Sequence, residues 1–177
     1  MKAKFNVTSH LEDLWRYARV LTRDDDDADD LVQESLARAL ELARTYDASR
    51  PLLPWLVRVV RNTYLSSVAR ANSERRRREA YAMLSDSLLL PSQEHSLELS
   101  DVRKALRSIP IEQAEVLHLV GVLGFTYSDS AEALGVPIGT VMSRLSRARA
   151  ALRDIVDGSG DRAPPHLKIV GGRSGSR

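Results

Sequence analysis

Apolar residues in this chain recur every three to four positions in separate blocks, with a polar stretch between the first block and the last. Leu11, Leu14, Trp15, Ala18 and Leu21 form one such stripe, and Ala28, Leu31, Val32, Ser35, Leu36, Ala39 and Ala43 form the next. This period puts successive apolar side chains on one face of a helix. A chain of 177 residues patterned in this way has room for two small helical units, each with a modest core. The expected fold is all-α, two small helical domains joined by a flexible linker.

The boundaries follow from local chemistry. Asp24 to Asp27 offer an N-cap and favourable first-turn charge to a second helix that runs to about Arg44. Its outer face carries Asp30, Gln33, Glu34 and Glu41. Asp47 to Pro54 form a break, after which Trp55, Leu56, Val59, Val60 and Tyr64 carry a third helix toward Ala71, followed by the basic run Arg75 to Arg78. From Ala80 to Leu99 the helical period lapses around Leu88-Leu89-Leu90-Pro91, which marks a linker. It resumes with Val102, Ala105, Leu106 and Ile109, and Ala114 to Leu123 form an apolar helix that Gly124 ends. The expected limits are 8–79 and 99–155 for the two domains, 80–98 for the linker and 156–177 for a disordered Gly, Ser and Pro tail.

Thr126 to Arg153 read as a helix, a turn through Gly135-Val136-Pro137 and a longer helix, the outline of a helix-turn-helix. Val141, Leu145, Ala148 and Leu152 share a stripe that faces the core, so Met142, Ser143, Ser146 and Arg147 point outward. Such a surface suits a major groove, with Arg147 placed for a bidentate contact to guanine and Arg144, Arg149 and Arg153 for phosphates. The plainer reading of these basic residues is a solvated helix face; the turn and the preceding short helix argue against it.

Charge supports a nucleic-acid partner through its distribution. The net charge is only +2, but acid gathers at Asp24 to Asp30 and base at Arg75 to Arg78 and Arg144 to Arg153. The chain has no cysteine, and its 4 histidines show no metal-ligand spacing, so disulfides, thiol redox sensing and zinc fingers are excluded. No cofactor or metal is expected. No nucleophile with an adjacent base and no phosphate-cradling Gly-rich loop appears, so the chain is not read as an enzyme. No apolar run approaches the roughly 20 residues of a membrane span, and Met1 to Thr8 lack an apolar signal core. No membrane insertion and a cytoplasmic location are expected.

Ala105 to Arg153 resemble the minus-thirty-five-binding domain of extracytoplasmic-function (ECF) sigma factors of RNA polymerase. The matching residues include Ile109-Pro110, Glu115-Val116-Leu117, Gly124-Phe125-Thr126-Tyr127, Leu134-Gly135, Gly139-Thr140-Val141 and Ser143 to Arg149. The first half resembles the same family independently. Asp27 to Glu34 are similar to its core-polymerase-binding signature, and Trp55-Leu56 to Asn62-Thr63 to its promoter-melting helix. A small residue at Ser130, the His10-Leu11 start and the Arg61-Asn62-Thr63 triplet resemble the general-stress branch of alphaproteobacteria.

The resemblance implies a transcription initiation factor whose partners are core RNA polymerase, promoter DNA and an anti-sigma factor. It implies that Asp27, Asp30, Leu31, Gln33 and Glu34 dock on polymerase. The minus-ten element would be met by Leu42, Tyr46, Arg58, Arg61 and Asn62, with Asp47 to Pro51 as the specificity loop. There a base flipped from the non-template strand is captured, with Tyr46 stacking on it and Asn62 reading its edge. The minus-thirty-five element would be met by Thr140, Met142, Ser143, Arg144, Ser146 and Arg147. The plainer reading makes Tyr46 a helix-end aromatic packed on Trp55 and Asn62 a surface amide, while Trp15 and Trp55 are expected in the core. Met142 stands where the family commonly has Lys or Arg, and Ser130 where many members have Ile, which puts the promoter sequence read in doubt. Two other readings compete. A sigma mimic would sequester an anti-sigma protein without binding DNA, and an ordinary helix-turn-helix repressor would leave the first half unexplained.

Overall fold

The carboxylate of Asp24 accepts hydrogen bonds from the backbone N–H groups of Asp26 at 3.0 Å and Asp27 at 3.2 Å. It thereby satisfies two of the donors that a helix start leaves open. The cap fixes where the second helix begins, and Asp24→Ala is expected to lower stability by about 1 kcal/mol, measured as a shift in the urea midpoint. The computed structural model describes residues 5–82 and 108–156. In these, α1 spans Leu11–Thr22, α2 Asp25–Glu41, α3 Leu52–Ala82, α4 Ile111–Gly121, α5 Tyr127–Leu134 and α6 Ile138–Val156, and no strand occurs among the described residues.

The expected stripes are the buried ones. Leu14, Ala18 and Leu21 of α1 pack with Ala28, Leu31, Val32 and Ala39 of α2 and with Leu56, Val57 and Val60 of α3. Tyr17, outside the expected stripe, is fully buried beside them, whereas Leu11 is 37% exposed. Arg23 ends α1 in the left-handed region at φ 63°, its N–H bonded to the Arg19 carbonyl at 3.0 Å. A non-glycine residue there costs roughly 1 kcal/mol. The side chain that Arg23 supplies in place of a glycine reaches the Ile109 carbonyl at 2.5 Å.

Three helices depart from expectation: α4 spans Ile111–Gly121, starting after Pro110 and stopping short of Leu123 and Gly124, and α2 and α3 differ at their ends. α2 stops at Glu41, and a single 3-10 turn, Ala43–Thr45, carries the chain into the loop before α3. α3 runs to Ala82 rather than ending near Ala71. The run Arg75 to Arg78 therefore lies on a helix, and residues 80–82, expected in the linker, are helical. The extension has no apolar stripe. Glu74 to Ala80 are all helix-favouring Ala, Glu and Arg residues, with an Arg78–Glu74 ion pair one turn apart at 3.5 Å. The rest of the expected linker, the stripe Val102 to Leu106 and the tail beyond Val156 lie outside the described residues.

α4, α5 and α6 form the second unit. Thr126 caps α5 by accepting from Asp129 N–H at 3.0 Å, while the Asp129 carboxylate accepts from the Thr126 N–H, a reciprocal capping box. Gly135 then takes φ +63° at the turn and lets the chain double back into α6. Val141, Leu145 and Ala148 are buried as expected. The two units are not held apart. α1 packs on α4 and α3 on α5, and one apolar cluster runs from Leu14 to Leu145 across both.

Candidate nucleic-acid interface

The loop between α2 and α3 is shaped by Asp47, whose carboxylate accepts from the N–H of Ser49 at 2.9 Å and from its hydroxyl at 2.7 Å. These bonds, the backbone one first, hold the carboxyl of Asp47 below the usual carboxylate range. The loop and the first turns of α3 enclose a cleft of about 460 Å³. Of the residues expected to meet the minus-ten element, Leu42, Tyr46, Arg58 and Asn62 line it, together with Asp47, Arg50 and Pro51 of the loop. Arg61 does not line it.

Tyr46 packs on Trp55, as its plainer reading expects, and also lines the cleft. Its ring lies 5.5 Å from that of Trp55 and 5.8 Å from that of Phe5, and it also forms the cleft wall. Its hydroxyl donates to the Arg50 carbonyl at 2.6 Å and pins the loop. Tyr46→Phe keeps the stack and loses that bond, so a stability loss of about 1 kcal/mol or less is expected in thermal unfolding. Trp55, expected only in the core, is half-buried and lines the cleft as well. Trp55, Arg58 and Asn62 are three and four positions apart, a spacing that already implies one helix face.

Three further lining residues come from the other half of the chain: Asp129, Glu132 and Ala133 of α5. Glu132 is ion-paired with Arg50. No local pattern in the sequence points to this approach, because it depends on how the two units meet.

Arg61 is occupied elsewhere. Its Nε donates to Glu115 Oε1 at 2.9 Å, and the same oxygen accepts from the Tyr17 hydroxyl at 2.7 Å. Glu115 is 2% exposed. Burial, and then the Glu115 carboxylate beside it, push the Tyr17 hydroxyl well above its ordinary pKa. The His118 ring stacks on Tyr17 at 6.1 Å, and its Nε2 is buried without a hydrogen-bond partner among the described residues. Burial, reinforced by Arg16 and opposed by Asp13, lowers the His118 pKa from 6.5 to about 4.

On the far side of the first unit, Asp27, Asp30, Leu31 and Glu34 line a groove of about 410 Å³ together with Tyr64 and Val68 of α3. Asp27, Asp30, Gln33 and Glu34 are exposed, whereas Leu31 is 6% exposed and belongs mainly to the core. On α6, Met142, Ser146 and Arg147 are exposed, and Thr140, Ser143 and Arg144 are half-buried. The Ser143 hydroxyl is turned back onto the Thr140 carbonyl at 3.0 Å. Arg144 Nη1 is buried without a hydrogen-bond partner among the described residues. Ser130 is fully buried, its hydroxyl bonded to the Thr126 carbonyl at 2.9 Å. A small residue is thus accommodated against the core without an unpaired polar group. Among the described residues no cluster of His, Cys, Asp or Glu is arranged to hold a metal ion, and no helix is long and apolar enough to cross a membrane.

The sequence matches the family profiles Sigma-70 region 2 over residues 7–85 and Sigma-70, region 4 over residues 99–152. It is 36% identical over 177 residues to the ECF RNA polymerase sigma factor EcfG of Rhodopseudomonas palustris, covering 94% of both chains. It is 33% identical over 144 residues to the ECF RNA polymerase sigma factor SigM of Mycobacterium tuberculosis, covering 81% of this chain and 71% of that one. Among solved structures it is similar to the sigma factor RpoE from Bartonella quintana, crystallised with the anti-sigma factor NepR. That match has a TM-score of 0.65 and 33% identity, covering 88% of this chain and 96% of the other.

Proposed function

The chain belongs to the ECF sigma factors of RNA polymerase, in the general-stress branch of alphaproteobacteria, and from that premise we propose how its residues divide the work of starting transcription. The cleft carries the proposal. It gathers an aromatic wall of Tyr46 and Trp55, the amide of Asn62, the cation Arg58 and the ordered loop Asp47 to Pro51 around one cavity. A base unstacked from the minus-ten element stacks on Tyr46 and meets the Asn62 amide, which offsets the few kcal/mol of unstacking. Leu42 adds an apolar side chain to the lining, while Arg58 and Arg61 follow the strand's phosphates and make binding salt-dependent.

The second unit reads the minus-thirty-five element with α6. Arg147, Ser146 and Met142 face the bases from their exposed positions, and Thr140, Ser143 and Arg144 support the helix start against the backbone. Asp27, Asp30, Gln33 and Glu34 present the acidic face to core polymerase, with Leu31 anchoring that face to the core. The units assigned to these roles are residues 8–79 and 99–155. An anti-sigma factor regulates the chain in the cytoplasm, as the complex of the Bartonella RpoE with NepR suggests. The chain acts by binding and carries out no bond-making chemistry of its own.

Selection of random duplex DNA by the holoenzyme tests the division of roles. Two conserved blocks are expected, the upstream one relaxed by Arg147→Ala and the downstream one by Asn62→Ala. Blocks indifferent to both variants refute the assignment. No recovered DNA, with tight binding to an anti-sigma protein, favours the mimic.

A further inference from the structure

The segment that leads into α1 is tied down locally and reaches the aromatic wall of the cleft. The Ser9 hydroxyl donates to the Asn6 carbonyl at 3.0 Å, and the His10 N–H donates to the Val7 carbonyl at 3.0 Å. The Thr8 hydroxyl donates to the side-chain carbonyl of Asn6, and Val7 packs on the core. Phe5, two residues upstream, is half-buried. Its ring meets both wall aromatics, Tyr46 at 5.8 Å with the planes 55° apart and Trp55 at 5.8 Å with the planes 68° apart. Phe5 does not line the cavity, so it touches the two rings from outside. The match to Sigma-70 region 2 begins at residue 7, so this contact is made by a residue that lies before the matched part of the chain.

Resting on the reading of the cleft given above, we propose that Phe5 is a positioning residue for minus-ten recognition. It holds Tyr46 and Trp55 in the orientation in which an unstacked base meets them. Tyr46 needs such a support. It follows the 3-10 turn Ala43–Thr45, where α2 has already ended, and its hydroxyl bond to the Arg50 carbonyl fixes only the far end of the ring. Rings that meet at tilted and edge-on angles set a ring edge against a ring face, a geometry that an aliphatic side chain of similar size does not reproduce. A wall ordered in advance spares the incoming base the cost of immobilising those side chains. Phe5 acts on the base through the two rings and makes no contact with DNA itself.

Two measurements test this. The chain has 2 tryptophans, and Trp15, whose Nε1 donates to Asp29 at 2.7 Å, does not line the cleft. In full-length chain carrying Trp15→Phe, emission therefore reports Trp55 alone, and its quenching by acrylamide is expected to rise in Phe5→Ala. The second measurement uses holoenzyme assembled from core polymerase and the full chain. Its probe is a duplex recovered by the selection described above, with 2-aminopurine in the downstream block. Emission of that base reads its unstacking, and binding of the unopened duplex in the cold is read separately. Unstacking is expected to slow about tenfold in Phe5→Ala and Phe5→Leu and to stay within about twofold of the parent in Phe5→Tyr, which keeps the ring. Binding of the unopened duplex is expected to be unchanged in all three. Quenching of Trp55 that is indifferent to Phe5→Ala overturns the proposal. So does a Phe5→Leu holoenzyme that unstacks the base at the parent rate, and so does an equal loss of duplex binding and unstacking, the mark of a general role in folding. Tyr46→Ala separates the two claims. If it slows unstacking while the Phe5 variants do not, the cleft reading stands and the proposal falls; if it has no effect, both fall together.

Discussion

Glu115→Ala is expected to lower the stability of the chain to urea by about 3 kcal/mol, at the lower end of the cost of breaking a buried charged pair. The residue lies on α4, but both of its partners lie in the other unit, Tyr17 on α1 and Arg61 on α3. Truncation leaves the Tyr17 hydroxyl, buried in a residue with no exposed surface, without an acceptor, and leaves the Arg61 guanidinium facing a void. Both groups then pay their desolvation without return. Tyr17→Phe removes only one donor and is expected to cost about 1 kcal/mol. The double variant is expected to fall short of the sum, because the two changes share an interaction. Glu112→Ala, an exposed site on the same helix, is expected to stay within about 0.5 kcal/mol of the parent. A Glu115→Ala chain as stable as Glu112→Ala would show that the cluster does not hold the units together.

Acid is expected to weaken the same contact through His118. The ring is half-buried against Tyr17 with its Nε2 shielded and unpaired among the described residues, and its pKa in the packed state is about 4 against an ordinary 6.5. Between those two values the freed histidine binds a proton that the packed one does not, so the packed state loses stability as pH falls. The contribution is complete above pH 6.5, declines through the window and levels off below about pH 4. Its full span is roughly 3 kcal/mol at about 1.4 kcal/mol for each unit. The charged neighbours bear on it in opposite senses: Arg16 on α1 lowers the pKa further and Asp13 on the same helix raises it. Urea midpoints taken from pH 7 to pH 4 for the wild type and His118→Gln isolate the effect, since the other carboxylates titrate in both. A slope unchanged by the substitution would rule His118 out as its source.

The apolar stripes were the most legible part of this chain. Leu14, Ala18, Leu31, Val32, Val141 and Leu145 are buried where their spacing puts them, because helical period and burial report the same geometry. The end of α3 was not legible from period, since residues 72–78 are exposed and the helix there rests on propensity and an i to i+4 ion pair. That Tyr46, Arg58 and Asn62 share one cleft follows the resemblance, while Trp55, expected in the core, lines it too, and its spacing to Arg58 and Asn62 already puts it on their face. Tyr17, Glu115 and His118 were missed for a different reason. Each sits on a helix that reads as amphipathic or apolar, and the partners that make it significant are contributed by the other unit. Contacts between residues 98 positions apart leave no periodic trace. For the same reason, the approach of Asp129 and Glu132 to the cleft became visible only in three dimensions.

The central claim is that this chain, added to core RNA polymerase, starts transcription at promoters it reads with two heads. Run-off transcription from a promoter library with purified core polymerase tests it most directly. The wild type is expected to give discrete transcripts, and Asn62→Ala and Arg147→Ala are each expected to weaken them about tenfold or more, as loss of one base contact worth ~1–3 kcal/mol implies. A chain that folds and binds an anti-sigma protein, yet yields no transcript from any template, would contradict the account.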